Sequence, residues 1–226
     1  MQAGNVHYRR TEDIPETVAV FPLCGALLLP GGQMPLNIFE PRYLALFDDA
    51  LAGKRVVGII QPEFDREGNV KKCSASPALS AVGCLGRITS FSETGDGRYI
   101  VSLAGICRFR IAEELTSGKP YRAARTTPFI GDLSPDEASC QIDRKALIHS
   151  YKAYLAANEL DADWASVERA SNTTLVNCLA MMSPFGPAEK QALLEAPDLR
   201  SRAETLIAIT EIAMARDKDE YSKSMQ

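Results

Sequence analysis

The spacing of the apolar residues changes near residue 128, and this change limits the fold more than any other feature of the sequence. Before that point, short segments alternate apolar and polar residues, the period-2 pattern of half-buried strands. After it, apolar residues recur every three or four positions, as on one face of a helix. We therefore expect an α+β fold. The predicted strands are 17–23, 34–39, 55–61, 82–93, 98–105, 106–115 and 121–129.

Glycine-rich turns separate several of these strands. The sequence TGDG at 94–97 predicts a hairpin turn, and LPGG at 29–32 predicts a second turn, because glycine accepts positive φ. The sequence GCLG at 83–86 lies within a predicted strand, where its glycines indicate a bulge or a sharp bend. The polar segment 62–78 has no periodic pattern and predicts a surface loop that could gate a neighbouring groove.

One helix, 41–52, interrupts the strands, with an apolar stripe of Leu44, Phe47 and Leu51. Four more helices follow the change of period; the first begins at SPDE (134–137), which has the composition of a capping box. Their stripes predict a helical bundle. The later helices are 134–158, 171–182, 186–196 and 197–216, and the resulting division is a flexible tail at 1–16, a β-barrel domain at 17–130, the bundle at 131–216 and a frayed end at 217–226.

Charge argues against a protein that binds phosphate backbones. Residues 1–133 carry 15 Lys and Arg against 14 Asp and Glu, and residues 134–226 carry 10 against 15. A nucleic-acid-binding domain usually has a strongly basic surface. We therefore expect nucleic acid to be an unfavourable partner.

The sequence also indicates a cytoplasmic protein. Residues 1–16 lack the apolar core of a signal peptide, and the longest apolar run, VFPLCGALLLPGG, is too short and too interrupted to span a membrane. The six cysteines form no CxxC pair. We interpret them as reduced thiols that bind no metal.

No catalytic or cofactor-binding motif is recognisable. Neither of the two Gly-Lys pairs, at 53–54 and 118–119, is followed by the Ser or Thr of a P-loop. Only two histidines are present, so few residues could serve as the base of a Ser-His or Cys-His mechanism. We expect no catalytic residue, no cofactor and no metal.

A Glu and an Arg stand at the joint between the strand 34–39 and the helix 41–52. Glu40 and Arg42 could form a catalytic pair, but no second titratable partner is apparent. A carboxylate is also favourable at a helix start without any substrate. We interpret Glu40, Arg42 and Tyr43 as a structural clamp that holds the helix on the strands.

Three segments in order resemble the N-terminal domain of the Lon protease family: VFPLCGALLLPGGQMPLNIFEPRYLALFDDAL, GCLGRI and RYIVSLAGICRFRI. The segment FGPAEKQALLEAPDLRSRAETL continues the likeness, which covers residues 17–216. The resemblance implies a PUA-like β-barrel followed by a helical bundle, and a role in recognising substrate proteins. The sequence is similar to stand-alone bacterial forms of this domain, because it lacks the P-loop of the ATPase module and the Ser-Lys dyad of the protease.

The leading hypothesis is a non-enzymatic adaptor that binds peptides or unfolded proteins, through a surface that the sequence does not identify. Self-association is compatible with this role. A small-molecule-binding protein is one alternative, although no cluster of polar residues supports it. RNA binding is another, because PUA-like barrels elsewhere contact RNA; it would use the arginines of the predicted barrel, namely Arg87, Arg98, Arg108, Arg110, Arg122 and Arg125.

Overall fold

The computed structural model describes residues 1–64, 77–134, 141–158 and 162–224, the last nine of these by backbone only. The chain divides into two compact units, one of Met1–Pro135 with Pro184–Leu194, the other of Asp136–Ser183 with Glu195–Gln226. The first unit holds all the strands that the structure describes, and helices make up the rest of the regular structure, so the α+β expectation is confirmed. The strands are β1 (Gln2–Ala3), β2 (Val6–His7), β3 (Thr17–Pro22), β4 (Gln33–Ile38), β5 (Val56–Pro62), β6 (Leu79–Glu93), β7 (Tyr99–Leu115) and β8 (Arg122–Pro128); the helices are α1 (Pro41–Ala52), α2 (Arg144–Ala157), α3 (Trp164–Arg169), α4 (Asn172–Met182), α5 (Pro187–Glu195) and α6 (Leu199–Ser224).

Six strands form one mixed sheet in the order β4-β7-β6-β5-β3-β8, and β8 pairs in addition with β7. The pair β3–β5 is parallel and the other pairs are antiparallel. The predicted turns at 29–32 and 94–97 are confirmed, since Gly31, Gly95 and Gly97 have positive φ. The predicted loop 62–78 lies for the most part outside the described residues, and β6 begins at Leu79.

The prediction of two strands, 98–105 and 106–115, was wrong, because β7 continues through Gly105 without a break. The amide of Gly31 donates to the carbonyl oxygen of Gly105, and the amide of Gly105 donates to Gly32, both at 2.9 Å. A Cβ atom at Gly105 would lie 2.1 Å from the carbonyl oxygen of Leu29. The glycine therefore allows a close approach between two backbones rather than ending a strand.

The core of this unit lies beneath β5, β6 and β7, and its buried side chains include Ile60, Leu85 and Phe109. The register of β6 against β7 shifts between Leu85 and Gly86, inside GCLG, but the extra residue is Ile106, so the bulge lies on β7 opposite the segment where it was predicted. A Cβ atom at Gly83 would lie 2.6 Å from both the Ile59 carbonyl oxygen and the Phe109 ring. Glycine is therefore required where the sheet approaches this ring.

Residues 1–16 differ from the predicted flexible tail. The hairpin of β1 and β2 precedes a single 3₁₀ turn at Thr11–Asp13, and Ala3, Tyr8 and Ile14 are buried in the core. Because the segment supplies buried apolar side chains, it is part of the strand-rich unit. The sequence did not indicate this, since three scattered apolar residues show no period.

Helix α1 has the predicted bounds, but its predicted stripe was wrong in detail. Tyr43, Leu46 and Phe47 are buried, whereas Leu44 and Leu51 are only partly buried. The centroid of the Tyr43 ring lies 4.3 Å from that of Phe21 on β3.

Helix α5 also belongs to the strand-rich unit, unlike the prediction that included it in the bundle. Gln61 donates to the carbonyl oxygen of Pro187 at 2.9 Å, and Lys190 donates to that of Gly25 at 3.0 Å.

The second unit contains α2, α3, α4 and α6. Helix α2 begins at Arg144, later than predicted, and the carboxylate of Asp143 accepts the N–H of Ala146. The predicted capping box reaches into 135–140, outside the described residues. The hydroxyls of Ser150 and Thr210 lie 2.7 Å apart and join α2 to α6. At the start of α6, Asp198 accepts the N–H of Ser201 at 2.7 Å, as an N-cap residue does. Helix α6 continues to Ser224, through most of the predicted frayed end.

Candidate functional site

Two large apolar side chains are exposed near the end of β4, one directly after this strand and one on β7. Phe39 is 60% exposed and Ile100 is 52% exposed. Ile100 is the register partner of Asn37, and Phe39 follows Asn37 by two residues. Because residues two apart in extended chain share a face, we expect Phe39, which directly follows β4, to lie on the same face as Ile100. We refer to Phe39 and Ile100 as the β4 patch.

The β4 patch lies beside a sheet edge. In the described part of the chain, β4 pairs with β7 alone, so one edge of β4 is unpaired. Pro35 stands in the middle of β4 and is exposed. A proline is tolerated on an edge strand, and it reduces the hydrogen bonding that the edge offers to an added strand. Contacts to this region would therefore depend largely on apolar side chains.

The end of the β6–β7 hairpin, on the other face of the sheet, is held to α1. The rings of Phe91 and Tyr99 meet edge to face with centroids 4.9 Å apart. The hydroxyl of Tyr99 donates to Asp48 at 3.0 Å, and this hydrogen bond raises the pKa of Tyr99. Phe91 is 38% exposed, less than either residue of the β4 patch. These contacts fix the hairpin relative to the helix that follows β4.

The three residues predicted as a clamp lie together where β4 leads into α1. Glu40 stands at the N-cap position, and its carboxylate accepts hydrogen bonds from Arg42 rather than from the helix backbone. The closest contact, from Nη2 of Arg42, is 2.7 Å, and both side chains are about half exposed. The guanidinium also lies 4.5 Å from the ring of Tyr43. Of the three, Tyr43 alone is buried, so the clamp interpretation remains a prediction that rests mainly on its ring.

A second charged cluster joins α1 to the segment before β8. The carboxylate of Asp49 accepts hydrogen bonds from Lys119, at 2.7 Å, and from the hydroxyl of Tyr121. Two hydrogen bonds lower the pKa of Asp49; the one from Lys119 has the larger effect and the one from Tyr121 the next. The same bond to Asp49 raises the pKa of Lys119. A general base needs a pKa near the working pH. The pKa of Asp49 is lowered, away from a neutral working pH, so this carboxylate is poorly suited to act as a general base. We interpret the cluster as a structural contact.

The arginines considered for RNA binding are divided among several partners. Arg98, Arg108, Arg122 and Arg125 each bind at least one carboxylate. Arg87 donates to the backbone carbonyl oxygen of Lys54, and Arg110 lies over the ring of Phe129. The carboxylate partners reduce the positive charge that this set could offer to a phosphate backbone.

Metal-binding and nucleophilic groups are dispersed. Within the described ranges, no group of three or more His, Cys, Asp or Glu side chains could hold a metal ion. Four cysteines are free thiols; Cys24 and Cys178 are exposed, and burial raises the pKa of Cys107 to about 12. Cys73 and Cys140 lie outside the described residues. None of the described helices is long and apolar enough to cross a membrane.

Sequence reasoning identified the clamp residues but not the β4 patch. Phe39 was assigned to the end of a strand and Ile100 to the middle of one, where period-2 spacing does not say which face is covered. One signal was present: ICRFRI and RYIV place apolar residues on both faces of β7, more than one core requires. Excess apolar residues on a strand face are a reason to look for a binding surface.

Comparison with known proteins identifies the family to which this chain belongs. The family model described as the ATP-dependent protease La (LON) substrate-binding domain matches residues 17–211. Lon protease 2 of Myxococcus xanthus is 28% identical over 206 residues, with 88% of this chain and 24% of the relative covered. Lon protease of Parabacteroides distasonis is 29% identical over 206 residues, with the same shares covered. The chain thus spans about a quarter of the length of these curated relatives.

Two solved structures share the fold. A Lon N-terminal domain protein from Xanthomonas campestris superposes with a TM-score of 0.59 and 20% identity, over 85% of this chain and 97% of the other. The N-terminal domain of the Mycobacterium avium complex Lon protease gives 0.61 and 22%, over 86% and 98%. Because both sequence identities are below 25%, these superpositions show a shared fold alone.

Proposed function

Because this chain belongs to the family of Lon substrate-binding domains, we propose that it binds apolar segments of unfolded polypeptides without cleaving them. The family match supports a role in substrate recognition. The finer parts of the proposal, which are the unfolded partner, the binding surface, an adaptor role and the lack of catalysis, rest on the arguments below.

The observation that carries the proposal is the exposure of the β4 patch. Phe39 and Ile100 are each more than half exposed, and we expect them to share a face next to the unpaired edge of β4. Apolar side chains grouped on a surface favour contact with another apolar surface, because burial removes them from water. An unfolded chain presents such side chains, whereas a folded protein buries them. The patch therefore suits an extended apolar segment laid along β4.

The pairing of the strands is consistent with a PUA-like barrel, which would form the scaffold beneath the β4 patch. Strand β8 pairs with both β3 and β7, so the ladder that begins at β7 and passes through β6, β5 and β3 returns to β7. We propose that this ring of ladders is the barrel implied by the family resemblance. A closed ring holds its strands rigidly. In the described part of the chain it leaves β4 as the edge strand of the six-stranded sheet.

We propose a non-catalytic, cytoplasmic adaptor. Supporting this, the P-loop and the Ser-Lys dyad are not recognisable in the sequence, and the matched family is a binding domain. The exposed thiols of Cys24 and Cys178 fit a reducing compartment.

The test is binding of a fluorescein-labelled, chemically unfolded casein, measured by fluorescence anisotropy. We expect the double variant Phe39→Ser, Ile100→Ser to bind at least about tenfold more weakly, because loss of two anchoring side chains removes most of the contact energy. Ile212→Ser is the matched control, since Ile212 on α6 is also 52% exposed. We expect it to bind within about twofold of the wild type.

Circular dichroism and thermal melting confirm that each variant is folded. Substituting exposed side chains should leave the melting temperature nearly unchanged. The proposal is contradicted if the wild type does not bind the unfolded casein, or if the double variant and Ile212→Ser bind equally well.

A further inference from the structure

Residues 11–16 and the end of β8 enclose a groove of about 310 Å³ on the strand-rich unit. Its lining includes Glu12, Ile14, Pro15, Glu16, Thr126 and Pro128. Ile14 is buried, and Pro15 and Pro128 are partly buried, so much of the wall is apolar. The volume lies at the lower end of the range of ligand pockets, which is roughly 300–1,000 Å³. The groove therefore suits a single side chain rather than a whole cofactor. We refer to it as the Thr126 groove.

Thr126 carries an unpartnered hydroxyl. The residue is 7% exposed. Among buried side-chain nitrogen and oxygen atoms in the described part of the chain, only its Oγ1 lacks a hydrogen-bond partner. The backbone N–H of Thr126 is satisfied by the Glu16 carbonyl oxygen at 3.0 Å. Buried hydroxyls are nearly always hydrogen-bonded. The oxygen itself is closed to water, so an occupant reaches it only by displacing part of the lining, and it then gains an interaction that the protein leaves open.

The rim of the groove is acidic. Glu12 is exposed, and the ion pairs described at this rim do not include it. Glu16 lies 3.2 Å from Nε of Arg125, and the same arginine also binds Glu113 at 2.7 Å. The two carboxylates of the lining, Glu12 and Glu16, are thus offset by one guanidinium that Glu113 shares, which leaves a net negative charge. A cation is favoured at this rim and an anion is disfavoured.

We propose that the Thr126 groove takes the side chain of a basic residue in the bound polypeptide. This inference rests on the proposed function and specifies the substrate further. The aliphatic stem of a lysine or arginine packs against Pro15 and Pro128, as such stems do on apolar surfaces. Its cationic end, which carries only donors, reaches the carboxylate of Glu12 and the hydroxyl of Thr126. The preferred substrate then combines apolar residues with a basic one.

Two fluorescein-labelled apolar peptides of twelve residues, identical except for lysine or norleucine at one position, test this proposal by fluorescence anisotropy. We expect the wild type to bind the lysine peptide about fivefold more tightly, as for a charged hydrogen bond at a partly exposed site. Thr126→Val and Glu12→Gln should each remove most of this preference while leaving the norleucine peptide unaffected. Thr126→Val should fold normally, because the hydroxyl that it removes has no partner in the free protein.

Glu211→Gln on α6 is the matched control; it removes an exposed carboxylate outside the groove and should retain the preference. Equal binding of the two peptides by the wild type overturns the groove proposal but not the proposed function. A preference that survives in both Thr126→Val and Glu12→Gln also overturns it. If neither peptide binds to the wild type, both proposals fail. The double variant Phe39→Ser, Ile100→Ser should lose both peptides, whereas the groove variants should lose only the preference for lysine, so the two surfaces are tested separately.

Discussion

Arg108 and Asp132 form a two-point ion pair inside the strand-rich unit. Nε and Nη2 of Arg108 donate to the two carboxylate oxygens of Asp132, each at 2.9 Å, and the backbone N–H of Arg108 donates to the same group. Nη1 of Arg108 donates to the carbonyl oxygen of Leu194 at 3.2 Å. Arg108 is 4% exposed. The pair therefore fastens the turn after β8 and the end of α5 onto β7.

Replacing Asp132 with Asn should destabilise the protein by about 3–5 kcal/mol, because it removes the carboxylate that forms the two-point ion pair with the buried guanidinium of Arg108. The free energy of unfolding in urea measures the effect. Asp96→Asn is the control, since Asp96 pairs with Arg98 at 3.2 Å with both side chains more than half exposed. Exposed pairs contribute about 0–1 kcal/mol. Equal losses in the two variants would contradict a special role for the buried pair.

Replacing Gly83 with Ala should cost about 1–3 kcal/mol, the usual range for overpacking a core. The new methyl group would lie 2.6 Å from the backbone oxygen of Ile59, which cannot move without disturbing the sheet. Gly118→Ala is the control, because a Cβ atom there meets nothing within 4 Å. We expect it to be neutral or slightly stabilising in urea denaturation. A neutral Gly83→Ala would show that β5 and β6 are less closely packed than described.

At the joint between β4 and α1, we expect the ring of Tyr43 to matter more than the ion pair beside it. Tyr43→Ala should lose about 3–5 kcal/mol, as for other buried aromatic side chains. Arg42→Ala should lose less than about 1 kcal/mol, because its contact with Glu40 is half exposed. Thermal and urea unfolding of the two variants measure both losses. The reverse order of losses would make the ion pair the principal part of the clamp.

The Asp49 cluster should make a pH-dependent contribution to stability. The hydrogen bond from Lys119 lowers the pKa of Asp49 below its ordinary value of 3.8. A carboxylate with a lowered pKa stabilises the fold above its unfolded-state pKa, and this contribution disappears as the pH falls through the folded-state value. The melting temperature of Asp49→Asn should therefore be below that of the wild type at pH 7, and the difference should shrink below about pH 4.

Differential scanning fluorimetry across pH 2 to 8 provides the measurement for the Asp49 cluster. Lys119→Met removes the partner named first as the cause of the shift. In that background, Asp49→Asn should have a smaller effect at pH 7, as expected for two residues in contact. A difference between wild type and Asp49→Asn that is constant across the pH range would contradict the prediction.

Much of the local structure could be predicted from the residues. Helix α1 begins at Pro41 because proline favours the first helical position, and it ends before Gly53. The turn at 94–97 and the N-cap at Asp198 follow from equally local chemistry. Glu40, Arg42 and Tyr43 could be predicted as a group, since they lie close together in the sequence. Phe39, Ile100 and Thr126 could not be predicted, because their importance depends on residues far away in the chain.

The sequence by itself therefore determined the kinds of element, their approximate bounds and the family. Only the tertiary structure decided which apolar residues are covered. Ile38 on β4 and Ile100 on β7 both fit a period-2 pattern, yet Ile38 is 2% exposed and Ile100 is 52% exposed. Period tells which residues share a face, whereas burial depends on what packs against that face. That information comes from contacts between distant segments, and it places the β4 patch and the Thr126 groove on the surface.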